Sequence, residues 1–439
     1  MVRSYPMLIV VLFLVMLSFS VGTSLATMPL RPDDVVWSRE IIGPGDETGY
    51  SLIATDDGGF ALAGSENSTG TERGLLVKTD DQGYPLWNRS YSSGQLAAFY
   101  DLARTEDGGY LLCGQSLSSR AGMANSFDGL ALMADASGEL QWVKAFGRDD
   151  INIFTAVIVD GDDYVFTGFN NSAGVAGMNA YLVKTDASGN KMLEAGLGQS
   201  GLNIQGYDAK KAPGGGYILA GSAGDVGTYG RDKPCLVKVD PSGAVEWLKV
   251  LNAATDNYAE SVVATGNGYV VAGTIDNGTG NGSYDFYLAK TDLAGNVLWN
   301  RSYGGPLEDR AKCVIITPDG GYLVVGLRGP EDGNTSAYVV KTDGLGNLQW
   351  DRTFEAGSRD IRLYRAVMAP DGGYVLAGYV STADTGDDIW IVKLRGEPGY
   401  GPTPTIPTPT VPNDRICCVP MLIMPLLLVC TTFLAVRRR

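Results

Sequence analysis

Five aromatic residues recur at one position of a repeated pattern and are the best candidates for ligand contact. They lie ten residues before a second repeated aromatic, and the set is Tyr50, Tyr100, Phe154, Tyr207 and Tyr364. Aromatic rings around the mouth of a channel can stack on sugars or on peptide, so we predict a ligand-binding ring there. The alternative is that these rings only fill the space between neighbouring structural units.

Charged residues near this column offer polar contacts to the same ligand. They are Asp149, Asp150, Glu308, Asp309, Arg310, Arg359, Asp360 and Arg362. Two carboxylates beside a bound sugar can cleave a glycosidic bond, so a surface glycan hydrolase or lyase is the alternative function. Solvated loop charge explains the same residues without catalysis.

Other chemistry has few candidate residues. The chain has no histidine, which excludes Ser-His-Asp and Cys-His nucleophile systems and histidine-ligated zinc. It has no glycine-rich phosphate loop and no Cys-x-x-Cys pair. The oxygen-rich segment that begins at Asp276 and ends at Asp285 is a candidate calcium loop, but it lacks the EF-hand spacing, and a flexible loop is the alternative. We predict no catalytic residue and no cofactor.

Three further sets of residues have mainly structural interpretations. The lysines at 78, 184, 238, 290, 341 and 393 occur once per repeat, which favours a scaffold role. Cys113, Cys235 and Cys313 stand in different repeats and are predicted to be buried small side chains without disulfides. Candidate N-glycosylation sites are Asn67, Asn88, Asn170, Asn277, Asn281, Asn300 and Asn334.

A repeat of about 50 residues must position all of these side chains. One phrase, seen as Asp371-Gly-Gly-Tyr-Val-Leu-Ala-Gly378, occurs seven times, and its central aromatics are Phe60, Tyr110, Tyr164, Tyr217, Tyr269, Tyr322 and Tyr374. A Leu-Val-Lys-Thr-Asp phrase follows each copy, and a Trp phrase comes third. Short apolar runs between glycine turns predict four antiparallel strands, a to d, in each unit, which is the blade of a β-propeller.

The two ends of the repeat region indicate that the blades close into a ring. The segment 35–41 around Trp37 reads as a strand d with nothing before it, whereas the last unit stops after its strand c at Leu394. The first strand therefore completes the last blade and removes two open sheet edges. We predict an all-β, seven-bladed propeller over residues 35–398; a linear solenoid is the alternative.

The repeat phrases resemble those of uncharacterised secreted β-propeller proteins of archaea and bacteria, especially surface proteins of methanogens. The likeness covers residues 35–396 and is best seen at Leu298-Trp-Asn-Arg-Ser-Tyr-Gly-Gly305. It implies a propeller at the cell surface, without an established activity.

Two other propeller families share single features with the repeat. Asp292-Leu-Ala-Gly-Asn-Val-Leu-Trp299 is similar to the tryptophan-docking repeat of quinone-cofactor dehydrogenases, in which the Trp of one blade packs on the next. Those enzymes usually have eight blades and an adjacent cysteine pair in the active site, whereas the adjacent pair here, Cys417-Cys418, lies in the predicted anchor. The likeness therefore implies packing and no quinone. Sialidase Asp boxes are also excluded, because here the Trp follows the turn glycine by four residues instead of three.

The termini predict export and anchoring. Residues 1–26 have the layout of a signal peptide, with an uncleaved signal anchor as the alternative, and 27–34 lead into the first strand. Residues 399–413 form a Pro/Thr-rich stalk, and 414–439 contain an uncharged apolar stretch followed by three arginines. The positive-inside rule places that basic end in the cytoplasm. Cys417 and Cys418 are candidate lipidation sites.

These features together predict a single-pass cell-membrane protein with an extracellular propeller that binds envelope glycan or protein. The membrane is the first predicted partner, through the C-terminal helix. Nucleic acid is excluded as a partner, because the formal charge of −15 repels it.

Overall fold

The computed structural model describes residues 34–397 except 69, 93–95, 118–125, 148–150, 172–176, 227–231, 252–256, 277–283, 330–334, 358 and 383–385. These described residues form 28 strands and no α-helix. The strands are β1 Val35–Ile41, β2 Glu47–Ala54, β3 Phe60–Glu66, β4 Arg73–Thr79, β5 Pro85–Tyr91, β6 Ala97–Arg104, β7 Tyr110–Leu117, β8 Phe127–Ala134, β9 Leu140–Phe146, β10 Asn152–Asp160, β11 Asp163–Asn170, β12 Asn179–Thr185, β13 Lys191–Gly196, β14 Leu202–Lys211, β15 Tyr217–Asp225, β16 Lys233–Val239, β17 Val245–Val250, β18 Tyr258–Thr265, β19 Gly268–Asp276, β20 Tyr284–Thr291, β21 Val297–Tyr303, β22 Asp309–Ile316, β23 Tyr322–Arg328, β24 Ser336–Thr342, β25 Leu348–Phe354, β26 Ile361–Met368, β27 Tyr374–Thr382 and β28 Gly386–Leu394.

The strands form seven antiparallel four-stranded sheets, so the predicted propeller is confirmed. Blades 1 to 6 take consecutive groups of four strands from β2 to β25, and blade 7 has the order β1-β28-β27-β26. Trp37 of β1 pairs with Lys393 of β28, and Glu40 pairs with Trp390. The inner strands contact one another in sequence, and β2 contacts β26, which closes the ring. The predicted completion of the last blade by the first strand is therefore also confirmed.

Tryptophan docking holds neighbouring blades together. Trp247 of β17 lies against Tyr269 in the next blade, with ring centroids 6.2 Å apart. It also covers Gly295 in the turn between β20 and β21, where an added Cβ would lie 2.7 Å from the indole. Five more pairs repeat this cover of a turn glycine: Trp37 on Gly83, Trp87 on Gly138, Trp142 on Gly189, Leu193 on Gly243 and Trp299 on Gly346. The repeated Trp and the repeated turn glycine are thus two halves of one contact.

The repeated lysine fixes strand c to the turn between strands a and b. Lys341 is fully buried, and its Nζ donates to Asp319 Oδ2 at 2.7 Å and to the Thr342 carbonyl at 2.9 Å. Lys78 makes the same pair with Asp57. Burial acts to raise the pKa of Asp57, but hydrogen bonds from Lys78 and Thr55 lower it to about 2. The scaffold interpretation of this lysine is confirmed at these positions.

The strand directions distinguish two ends of the central channel. Strands a and b meet at a turn such as 55–59, and strands c and d meet at a turn such as 80–84, so both lie at one end, the turn end. The connections from b to c and from d to the next a lie at the opposite end, the loop end. Val35 pairs with Leu394 at the turn end, where the described chain begins and stops. Among the described residues, no helix is long and apolar enough to span a membrane, and the segment predicted to do so lies outside them.

Candidate functional site

A β-bulge interrupts every inner strand at the same height in the channel. The displaced residues are Tyr50, Tyr100, Thr155, Tyr207, Glu260, Lys312 and Tyr364. A glycine of strand b faces each bulge; at Gly64, an added Cβ would lie 1.8 Å from the Thr48 carbonyl oxygen. The last glycine of the repeated strand b phrase is therefore required by the close approach of the bulged backbone.

Four of the five predicted aromatic residues occupy these bulges, and Phe154 does not. Phe154 pairs with Gly168 one position before the bulge, is fully buried, and packs on Tyr181 with centroids 5.3 Å apart. Four residues separate the paired Val159 and Tyr164, whereas five separate the paired Ala54 and Phe60, so counting back ten residues from Tyr164 goes one position past the bulge. The membership of Phe154 in the column was wrong, and Thr155 takes its place.

Three of the tyrosines form a continuous arc across blades 7, 1 and 2. The ring of Tyr50 lies 5.4 Å from that of Tyr100 and 5.4 Å from that of Tyr364. Burial, with smaller contributions from Tyr364 and Glu72, raises the pKa of Tyr50 to about 12. Burial also raises the pKa of Tyr100. The hydroxyls of Tyr50 and Tyr100 therefore stay protonated at neutral pH. We call these three residues the tyrosine arc.

The remaining bulge residues differ in chemistry. Tyr207 donates its hydroxyl hydrogen to Gln205 Oε1 at 3.0 Å and packs near Tyr258 at 6.4 Å. In blades 5 and 6, Lys312 Nζ lies 2.8 Å from Glu260 Oε1. The bulge positions thus combine tyrosines with one ion pair between neighbouring blades.

A pocket of about 560 Å³ adjoins the arc at the loop end. Tyr50 contributes to its wall, together with Asp46, Ser65, Glu72 and Leu96. Glu72 lies close enough to the arc to raise the pKa of both Tyr50 and Tyr100, although less than burial does. Carboxylates accept hydrogen bonds from hydroxyl groups, and an aromatic face packs against apolar ring faces. The arrangement therefore suits a polyhydroxylated ring.

A polar layer lies directly beyond the bulges, towards the turn end. Arg365 reaches from blade 7 across blade 1, with Nη2 2.5 Å from Asp101 Oδ1 in blade 2 and Nε 3.4 Å from Ser51 Oγ. Asp208 Oδ2 accepts hydrogen bonds from the Ser261 hydroxyl at 3.1 Å and from the Val262 amide at 3.0 Å. Arg365 thus joins blades 7 and 2, and Asp208 joins the neighbouring blades 4 and 5, at a height between the arc and the turn-end half of the channel.

The other predicted charges make local ion pairs. Arg310 lies 3.4 Å from Glu308, Arg328 lies 2.6 Å from Asp309, Arg359 lies 3.3 Å from Glu40, and Arg362 lies 3.8 Å from Asp360. These pairings do not bring two carboxylates together beside the arc. Asp149 and Asp150 lie outside the described residues.

The predicted calcium loop has only its two ends described. Asp276 ends β19, and Asp285 follows the first residue of β20. Within the described parts of the chain, no group of three or more acidic or cysteine residues could hold a metal ion. Calcium binding by residues 276–285 stays a prediction.

The cysteine prediction is confirmed, and the glycosylation sites divide into three groups. Cys113, Cys235 and Cys313 are free and buried. Asn67, Asn88 and Asn300 are exposed, whereas Asn170 is buried at 7%, which leaves no room for a glycan in the folded chain. Asn277, Asn281 and Asn334 lie outside the described residues.

Similar solved structures are β-propellers. The polysaccharide lyase Uly1 has a TM-score of 0.50 at 11% identity over 81% of this chain and 91% of that chain. The β-propeller domain of the Trilobed protease from Pyrococcus furiosus has a TM-score of 0.43 at 10% identity over 80% and 93%. Puromycin hydrolase has a TM-score of 0.45 at 17% identity over 77% of this chain. The match spans about half (51%) of the length of puromycin hydrolase. Neither a protein-family model nor a curated protein matches the sequence. The similarity to Uly1 supports the fold alone.

Proposed function

We propose that this protein is a cell-surface propeller that binds an envelope glycan at the loop end of its channel. The predicted anchor in residues 414–439 holds it in the cell membrane, with the propeller outside and the basic end in the cytoplasm. The described strands begin and stop at the turn end, and the loop end is the opposite end of the channel.

The tyrosine arc is the observation that supports this proposal. Tyr364, Tyr50 and Tyr100 form a half-buried aromatic surface beside a pocket whose wall contains Asp46 and Glu72. Sugar rings have apolar faces and hydroxyl edges, and such a site satisfies both. The pocket volume of about 560 Å³ falls within the range of ligand pockets.

Binding of a glycan panel to the full chain tests the proposal. The chain, reconstituted in lipid nanodiscs, is applied to arrayed neutral and acidic oligosaccharides and to immobilised envelope protein. Tyr50 is the central ring of the arc and lines the pocket. Tyr50→Ala should weaken binding of the best glycan at least tenfold, because truncating a central aromatic at an interface costs about 2 kcal/mol or more.

Tyr84→Ala is the matched control. Tyr84 is 53% exposed in the turn between β4 and β5, at the opposite end of the channel. This variant should bind glycan like the unchanged chain. Absence of binding to any glycan, or an equal loss in both variants, would rule out the site. Release of shortened or unsaturated sugar would favour the hydrolase or lyase instead, and binding of envelope protein alone would favour a protein receptor.

A further inference from the structure

The turn-end half of the channel contains a second cavity, which we call the turn-end cup. It has a volume of about 620 Å³ and is lined by all seven inner strands. The polar layer of Arg365, Asp101 and Asp208 forms its inner end, and the opposite end opens between the turns that join strands a and b. Every residue of its lining is described. The arc and its pocket lie on the other side of the polar layer.

The walls of the cup are mainly apolar. The residue three positions after each bulge faces the cup. In six blades it is apolar, and in blade 4 it is Lys210; the apolar residues are Ile53, Ala103, Ile158, Val263, Ile315 and Val367. Aliphatic side chains that face a cavity are available to bury an apolar ligand, because transfer of apolar surface out of water is favourable. A ligand of the cup therefore has an apolar body.

The inner end of the cup has unused hydrogen-bond donors. Arg365 uses Nη2 for Asp101 and Nε for Ser51, whereas a guanidinium has five N–H groups. Asp101 is already satisfied, because Oδ1 also accepts from Ser51 at 2.7 Å and Oδ2 from the Val157 amide at 3.1 Å. Asp208 accepts from Lys210 and from three groups of blades 4 and 5. The groups at the inner end that can still form hydrogen bonds are therefore N–H donors of Arg365, which is always positively charged.

The charges around the cup balance. Arg104 and Lys211 pair with Asp56 at 3.1 Å and Asp160 at 2.8 Å, which lie outside the lining. Lys210 pairs with Asp208, and Arg365 pairs with Asp101. Recognition of an anion therefore depends on the unused N–H groups of Arg365 and not on a net positive charge of the lining.

We infer that the turn-end cup binds a small amphipathic anion. Its carboxylate or phosphate group accepts hydrogen bonds from the unused N–H groups of Arg365, because a guanidinium matches both anions in a two-point contact. Its apolar body lies among Ile53, Val263, Ile315 and Val367. This site is separate from the proposed glycan site, so either proposal can fail without the other.

Titration calorimetry with octyl compounds tests the inference. The full chain in zwitterionic nanodiscs is titrated with octanoate, octyl phosphate, octylammonium and octanol, and the heat from empty nanodiscs is subtracted. At least one anion should bind at least tenfold more tightly than both octylammonium and octanol. The ratio of the two anion affinities identifies the preferred head group. Equal binding of octanol, or no binding of either anion, would overturn the inference.

Two variants locate the site. Val263→Phe fills the cup without touching the polar layer and should weaken anion binding at least tenfold, while glycan binding at the loop end stays unchanged. Val245→Phe makes the same change at a 42% exposed position of β17 and should have no effect. Arg365→Lys should weaken binding of the anion and leave the weak binding of octanol unchanged. Unchanged anion affinity in Val263→Phe would exclude the cup.

Discussion

Replacing Gly295 by alanine tests the contact that repeats between blades. Gly295 has a φ of +77°, and an added Cβ would lie 2.7 Å from Trp247 Cζ3 and 2.8 Å from Cη2. Nonpolar carbons normally pack about 3.5–4.0 Å apart, so the indole must move by about 1 Å. Overpacking of this kind costs about 1–3 kcal/mol, in addition to about 1–3 kcal/mol for alanine in a left-handed conformation.

Gly320→Ala separates the two costs. Gly320 has nearly the same φ of +78°, but nothing lies within 4 Å of its added Cβ. We expect this variant to lose only the backbone contribution, so Gly295→Ala should be less stable than Gly320→Ala by about 1–3 kcal/mol. Urea unfolding of both full-length variants, followed by tryptophan fluorescence, measures the difference. Equal destabilisation would refute the docking argument, and a Trp247→Leu background should reduce the difference.

Two further predictions concern buried charges. Burial, with added repulsion from Asp388 and Glu66, raises the pKa of Glu47 to about 7, so folding favours its protonated form. Stability should therefore fall as pH rises from about 4.5 to about 7, and Glu47→Gln should flatten that fall in pH-dependent urea titrations; an unchanged profile would exclude Glu47 as its source. Lys341→Met removes the partner of Asp319 and should cost about 1–3 kcal/mol. Lys290→Met should cost less in the same assay, because among the described residues that ammonium meets the Tyr322 hydroxyl alone, at 3.4 Å; equal costs would contradict the ion-pair argument.

The sequence predicts the ring because the repeat is nearly complete in itself. Each unit contains its own turns, so seven copies give seven blades, and the unmatched strand at Trp37 identifies the closing pair. The pairing of Trp37 with Lys393 follows from that mismatch. The sequence also predicts the packing between blades, because the Trp and the turn glycine recur together in the repeat.

The channel is less predictable because its geometry depends on bulges and on contacts between distant blades. Phe154 was assigned to the wrong position because the connection before Tyr164 is one residue shorter than the connection before Phe60, a difference that the spacing of the repeated aromatics does not show. The glycine that faces each bulge, such as Gly168, is the signal that identifies the displaced residue. Arg365 and Asp101 are 264 residues apart, and nothing in either repeat indicates that they meet. The turn-end cup therefore follows only from the structure.

A crystal structure of the chain with its best-binding oligosaccharide tests the central claim most directly. We predict a sugar ring packed on Tyr50, Tyr100 and Tyr364, with hydroxyl groups hydrogen-bonded to Asp46 or Glu72. An oligosaccharide bound at the turn end or on the outer strands, with the tyrosine arc bare, would contradict the claim.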